Sequence, residues 1–261
     1  MTKIIAIASG KGGVGKTTTA INLGCALTSF GKDIVVVDGN LGTPHVALHL
    51  GSSKLPLTLN DALAGKAAIT DTAYLHPSGL RIIPSSISPE AYSQCNVGRL
   101  RETLLGLAGT TEVVLLDIGA GMSKETVQEL TAADEVMIVT TPDMLAVSDA
   151  MKTIKIAKDA GLLIHGIVLN KVTDNDAELS SANVASLLEH DVLGIVPEDH
   201  HVHRALSMKQ PVVHSHPDSP AAIGYKKLAA AMLGQNYEPK GKQPEESTLS
   251  IVGLRQKLGI S

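Results

Sequence analysis

Gly10-Lys11-Gly12-Gly13-Val14-Gly15-Lys16-Thr17 follows the apolar run Ile4–Ala8 one residue on, past Ser9, and opens a helical pattern over Thr17–Phe30. The stretch fits the spacing G-x-x-x-x-G-K-[ST], and it sits where that spacing has chemical meaning, between a strand and a helix. Glycines admit positive φ, so the backbone N–H groups of Gly12, Gly13, Val14 and Gly15 can turn inward onto phosphate oxygens. The first helical turn, Lys16 to Thr18, adds the positive end of the helix. Lys16 then reaches the outer phosphates and the Thr17 hydroxyl suits a Mg²⁺ ion. This loop predicts a nucleotide site.

Working outward, six more apolar runs follow: Ile34–Val37, Leu80–Ile83, Val113–Leu116, Val136–Val139, Ile164–Leu169 and Val192–Val196. Most are continuously apolar, as strands covered on both faces are. Helical patterns separate them, at Leu57–Ala64, Val97–Leu107, Ser148–Ala160, Ala177–Leu188 and Ala221–Leu233. The alternation predicts an α/β fold, a mostly parallel twisted sheet with helices on both faces. Two runs end in a carboxylate, Asp38 after Val37 and Asp117 after Leu116. Such residues lie at the carboxyl edge of the sheet, where open α/β folds bind ligands. Pro, Gly and charged residues crowd the segment after Leu233. The chain therefore divides into a domain over 1–234, a flexible linker over 235–248 and a closing segment over 249–261.

Lys11 to Thr17, KGGVGKT, resembles the deviant Walker A loop of the MinD/ParA family of P-loop ATPases. The resemblance covers nearly all of residues 3–233, and it implies the P-loop NTPase fold with ATP or ADP and Mg²⁺ as ligands. It also implies that Lys11 reaches nucleotide bound by a second copy, so that ATP holds a homodimer together. Lys11, Lys16, Asp38 and Asn40 take the catalytic positions. Thr17, Asp38 and Asp117 face the metal, and Gly121 lies near the terminal phosphate. The family commonly reads Asp-x-Asp where this chain has Asp38-Gly39-Asn40. An amide can orient a water but accepts no proton, which predicts slow hydrolysis.

The same resemblance places Asn170 and the loop Pro197-Glu198-Asp199 around adenine. A guanine reader needs an aspartate two residues after Lys171, and Asp174 stands one place further on. His200, His201 and His203, with His214 and His216 nearby, lack a recognised metal-ligand spacing and read as solvated loop histidines. Cys25 falls inside the first helix, and Cys25 with Cys95 makes neither a disulfide framework nor a cluster site.

Composition narrows the partners. Across 261 residues the net charge is −4, with 22 Lys+Arg against 26 Asp+Glu and five aromatic residues, four Tyr and one Phe. No dense basic cluster or stacking platform favours nucleic acid, which weighs against a DNA-riding relative of the ParA type. Two cysteines and no signal-like segment predict a cytoplasmic protein. In the closing segment Ile251, Leu254 and Leu258 share a helical face flanked by Arg255 and Lys257. It resembles the membrane-targeting helix of MinD proteins, which implies peripheral attachment to anionic membrane. The expected function is an ATP-dependent dimerising switch that positions division or other machinery through a regulatory or cargo protein. A non-hydrolysing ATP-dependent scaffold is the alternative that Asn40 raises.

Overall fold

The computed structural model describes residues 2–52, 55–173 and 175–239. Asp174, residues 240–248 of the linker and the closing segment 249–261 lie outside the described residues.

One eight-stranded sheet organises the chain. Its strands are β1 (Lys3–Ala8), β2 (Ile34–Asp38), β3 (Tyr74–Leu75), β4 (Arg81–Ile83), β5 (Val113–Asp117), β6 (Glu135–Thr140), β7 (Leu163–Val172) and β8 (Val192–Pro197). Their order is β3-β4-β2-β5-β1-β6-β7-β8. Every pairing is parallel except β3 with β4. The seven apolar runs are seven of these strands. The eighth, β3, has two residues and too little pattern to read.

Side chains alternate across the sheet, so each strand feeds two cores. Ile4, Ala6 and Ala8 join one cluster, with Leu59, Leu104, Leu130, Ile154 and Leu188. These come from α3 (Leu59–Leu63), α5 (Leu100–Leu105), α6 (Lys124–Thr131), α7 (Met144–Asp159) and α8 (Ser181–Leu188). Ile5 and Ile7 join the other cluster, with Leu23, Val46, Val212 and Leu228. That face carries α1 (Lys16–Ser29), α2 (Val46–His49), α9 (His200–Ser207), α10 (Val212–Ser215) and α11 (Pro220–Met232). The remaining helix, α4 (Pro89–Ser93), is one exposed turn.

Short or polar helices were the ones the pattern passed over: α2, α4, α6, α9 and α10. The histidines are corrected here. His200, His201 and His203 stand on α9 and His214 on α10, rather than in a solvated loop. Past α11, Tyr237 packs against Phe30 with ring centroids 5.8 Å apart, so the start of the linker segment lies on the domain.

The sheet order explains where the site falls. From β1 the chain crosses to β2 on one side, and after β5 it crosses to β6 on the other. The connections diverge around β1 and β5, and a crevice opens at their carboxyl ends.

Candidate functional site

The loop after β1 wraps the start of α1. Gly15 is its N-cap residue, with φ 96°, and a Cβ there would lie 2.3 Å from Asn170 Nδ2. Only glycine fits. The Asn170 amide donates to the Val14 carbonyl at 2.7 Å, so the end of β7 closes the loop from above. Lys16 Nζ donates to Ser9 Oγ at 3.0 Å, and Ser9 Oγ donates to the Lys11 carbonyl at 2.7 Å. Burial lowers the Lys16 ammonium below its ordinary value, against the pull of Asp117 and Glu129. Among the described residues this half-buried ammonium is held by a hydroxyl alone, which leaves it ready for an anion.

Asp38 and Asp117 end adjacent parallel strands and are register partners, Asp38 beside Asp117. Both are buried. Asp38 Oδ2 accepts from the Val46 amide at 2.9 Å, and Asp117 Oδ2 accepts from Thr17 Oγ1 at 2.6 Å. The second oxygen of each, Asp38 Oδ1 and Asp117 Oδ1, has no hydrogen-bond partner among the described residues. Burial, then the mutual repulsion of the pair, pushes Asp38 well above the carboxylate range. Burial raises Asp117 to about 6, although Thr17 and Lys16 oppose it. Two orphaned carboxylate oxygens beside a threonine hydroxyl form a hard-oxygen donor set, which a Mg²⁺ ion fits. Their desolvation, on the order of 1–3 kcal/mol each, is otherwise uncompensated.

A cavity of about 480 Å³ opens from this point, lined by Gly12, Gly13, Gly15, Lys16, Thr17 and Thr18 on one side. Asn40, Asn170, Pro197, Glu198 and Asp199 line it too. The Asp199 carboxylate is turned into the protein. It accepts from the amides of His201 and Ala221 at 2.9 and 3.0 Å and from His201 Nδ1 at 2.8 Å. Burial pushes its pKa up, but these bonds outweigh burial and hold it at about 2. Asp199 therefore caps α9 and ties it to α11, fixing the wall of the cavity rather than offering a charge to it.

Asn40 is turned aside as well. Its Oδ1 accepts from the Thr43 amide and hydroxyl at 3.3 and 3.1 Å, an Asx turn within the loop. Val14 is buried in the core beneath the loop, and Gly121, with φ 84°, donates to the Ser9 carbonyl at 3.2 Å. Lys11 lies apart from these groups. It is half exposed on the outer face, 3.8 Å from Asp143, the N-cap residue of α7.

The sequence reading missed His45, His49, Leu206 and Tyr225 and placed His203 in a solvated loop; all five line the cavity. Burial first, then the neighbouring cations, lowers His49 to about 4, so it meets a ligand as a neutral ring. His45 and His49 at i, i+4 are a helix-face spacing, but α2 is too short to show a period. Tyr225 is spaced as a core residue of α11, and it is one.

Residues 5–212 match the CobQ/CobB/MinD/ParA nucleotide binding domain. The chain belongs to that family. An uncharacterized ATP-binding protein of Methanocaldococcus jannaschii is 40% identical over 96% of both chains. Among solved structures, the cell division ATPase MinD of Pyrococcus furiosus superposes with a TM-score of 0.86 at 31% identity, covering 90% of this chain and 99% of that one. MinD of Pyrococcus horikoshii, solved with Mg-ADP, gives 0.84 at 32% identity, covering 88% and 95%. This MinD/ParA member thus carries its loop, its two strand-end aspartates and its cavity on the fold that MinD ATPases use.

Proposed function

We propose that the chain is a MinD-like ATPase switch whose ligands are ATP or ADP with Mg²⁺. The observation that carries this is the pair of orphaned oxygens, Asp38 Oδ1 and Asp117 Oδ1, beside Thr17 and Lys16. Thr17, Asp38 and Asp117 would hold the ion, directly or through water. When bound, Mg²⁺ neutralises charge on the phosphates. The backbone of Gly12 to Gly15 and the Lys16 ammonium orient the phosphates, and Gly121 stands where the terminal phosphate ends. Asn170 and the Pro197–Asp199 loop frame the base. The Asx turn of Asn40 supports slow hydrolysis, because its carbonyl is engaged with Thr43 rather than free to orient a water.

Lys11 is the residue left for a second copy. Its tie to Asp143 is exposed and long, worth little, so the side chain can swing across an interface. ATP then holds a homodimer, and the dimer presents two closing segments, 249–261, to an anionic membrane by avidity. A regulatory or cargo protein reads the nucleotide state on the cytoplasmic side. Among the described residues no helix is long and apolar enough to cross a membrane. Two lysines on α7 that might have formed a nucleic-acid stripe, Lys152 and Lys155, pair with Asp149 and Asp159.

The test is mass by light scattering with ADP and with AMP-PNP. Wild type dimerises only with AMP-PNP. Lys11→Ala keeps its nucleotide affinity within about twofold but stays monomeric, since one charge-assisted contact per site is lost. An unchanged dimer in Lys11→Ala would overturn the trans-lysine reading.

A further inference from the structure

The chain enters α9 through three consecutive residues, Asp199, His200 and His201. Each brings one potential ligand atom to within 4.8 Å of the other two. His201 Nδ1 donates to Asp199 Oδ1 at 2.8 Å, and His200 Nδ1 lies 3.8 Å from the same oxygen. The two imidazole rings stand 4.0 Å apart between centroids, and the His216 ring lies 4.9 Å from that of His201.

A helix start does not require this convergence. Side chains at i and i+1 of a helix diverge by about 100°. An N-cap needs one acceptor for one amide, and Asp199 Oδ1 already accepts from the His201 amide at 2.9 Å. Two imidazole nitrogens gathered at that oxygen exceed what the cap uses. Their spacing suits an ion. Bonds of about 2.1 Å put neighbouring ligand atoms about 3.0 Å apart in an octahedral shell and about 3.4 Å apart in a tetrahedral one. The distances of 2.8 and 3.8 Å straddle those values. Side-chain exposure rises from 2% at Asp199 to 29% at His201 and 69% at His200. An ion here would rest on a buried charge and be reached from solvent.

We propose that Asp199 Oδ1, His200 Nδ1 and His201 Nδ1 form a site for a divalent transition ion of the Zn²⁺ class, with water completing its shell. Two imidazoles and one carboxylate suit such an ion, whereas Mg²⁺ takes oxygen ligands and belongs with Thr17, Asp38 and Asp117. On binding, the His201 proton moves from Nδ1 to Nε2, and the ion replaces the hydrogen bond it made. Asp199 Oδ2 keeps the Ala221 amide at 3.0 Å, which orients the carboxylate. The ion then closes a clip from the first turn of α9 through Asp199 to α11. Val202, His203 and Leu206 of α9 line the cavity, so the clip stiffens that wall.

The test is a Co²⁺ titration of the full-length, tag-free protein in excess Mg²⁺, followed by the visible ligand-field band and by displacement with Zn²⁺. Wild type, His200→Ala, His201→Ala and Asp117→Asn are compared. Wild type takes up one Co²⁺, Zn²⁺ displaces it, and Zn²⁺ raises Tm. Both histidine variants lose affinity about tenfold or more and lose the rise in Tm. Asp117→Asn binds as wild type does, because the ion is not at the phosphate site. If His201→Ala fails to fold, the exposed His200→Ala carries the test. Affinity within about twofold of wild type in a folded histidine variant overturns the site, as does a wild-type Kd no tighter than about 1 mM. Loss of the band in Asp117→Asn overturns it too, since the ion then sits between the strand-end aspartates. No nucleotide enters the titration, so the outcome stands whether or not the ATPase reading does.

Discussion

The two edges of the sheet are built to opposite rules. At the amino edge, where strands begin, charges meet partners. Glu135 accepts from Lys3 at 2.8 Å and from His165 at 2.6 Å, Lys32 meets Glu112 at 2.9 Å, and Arg101 meets Asp134 at 2.9 Å. Arg81 pairs with Asp33 beside them. At the carboxyl edge, Asp38 and Asp117 each keep an oxygen with no partner, and Lys16 leans on a hydroxyl. Satisfied polar groups hold a fold together. Unsatisfied buried ones hold free energy for a ligand that completes them. The edge that stabilises the domain and the edge that binds are therefore separable by mutation.

The sharpest break is Asp117→Asn. The amide keeps an acceptor for Thr17 but removes one of two buried, mutually repelling charges. Affinity for Mg²⁺-nucleotide should fall about 100-fold. Stability of the nucleotide-free protein should rise by about 1 kcal/mol, because the orphaned charge is gone. Isothermal titration and urea melts measure the two effects. A variant that loses affinity and stability together would mean that Asp117 is structural, and the contrast between the edges would fail.

The same contrast has a pH signature. Asp38, Asp117 and Glu129 have folded pKa values above those of the unfolded chain, so the native state binds more protons than the unfolded one across that window. Stability then falls as pH rises. His49 opposes this below about pH 6.5, where unfolded histidine titrates, since its folded value is lowered to about 4. Burial lowers His76 and His190 as well, so the histidines oppose the acids until unfolded histidine is neutral, and between about pH 7 and pH 8 the acids set the slope. Tm in EDTA should drop across that interval by a few degrees. Mg²⁺-ADP should remove the drop, because metal ligands must be deprotonated and binding strengthens as pH rises. A flat or rising Tm in EDTA would show that the carboxyl edge carries no such cost.

Much of this was legible from residue order, and the reason differs by part. Seven strands were readable because buried parallel strands are continuously apolar, as Val35-Val36-Val37 is. Phosphate-loop residues were readable because glycine spacing is a backbone requirement, and Gly15 beside Asn170 is its clearest case. Positions that depend on long-range packing were not legible. Asp199 sits in the base loop by sequence, yet its carboxylate serves Ala221, 22 residues away. Glu129 looks like an exposed helix residue until α6 is laid against Gly119, because a helix of eight residues shows which face is apolar only weakly. His200 and His201 read as loop residues because their N-cap, Asp199, was assigned to the nucleotide.

The smallest expected effect lies at the amino edge and completes the comparison. Glu135 is mostly covered, and burial alone would raise its pKa. Hydrogen bonds from Lys3 and His165 outweigh burial and hold it below the usual carboxylate value. A lowered carboxyl pKa contributes stability that is present above the unfolded value and lost as pH falls. Glu135→Gln keeps the shape and one acceptor but gives up the charge. Because Lys3 is half exposed, water screens that pair, and the loss should be only about 1 kcal/mol at neutral pH. The difference from wild type should begin to shrink as pH falls through the ordinary carboxylate range and vanish only below Glu135's lowered folded value, where wild-type Glu135 is itself protonated. Urea melts at pH 7 and in a descending series from about pH 4 follow the loss, and mant-ADP affinity should not move. A change in nucleotide affinity in Glu135→Gln would show that the edges communicate through β6, and the sheet would then be a relay rather than a wall between them.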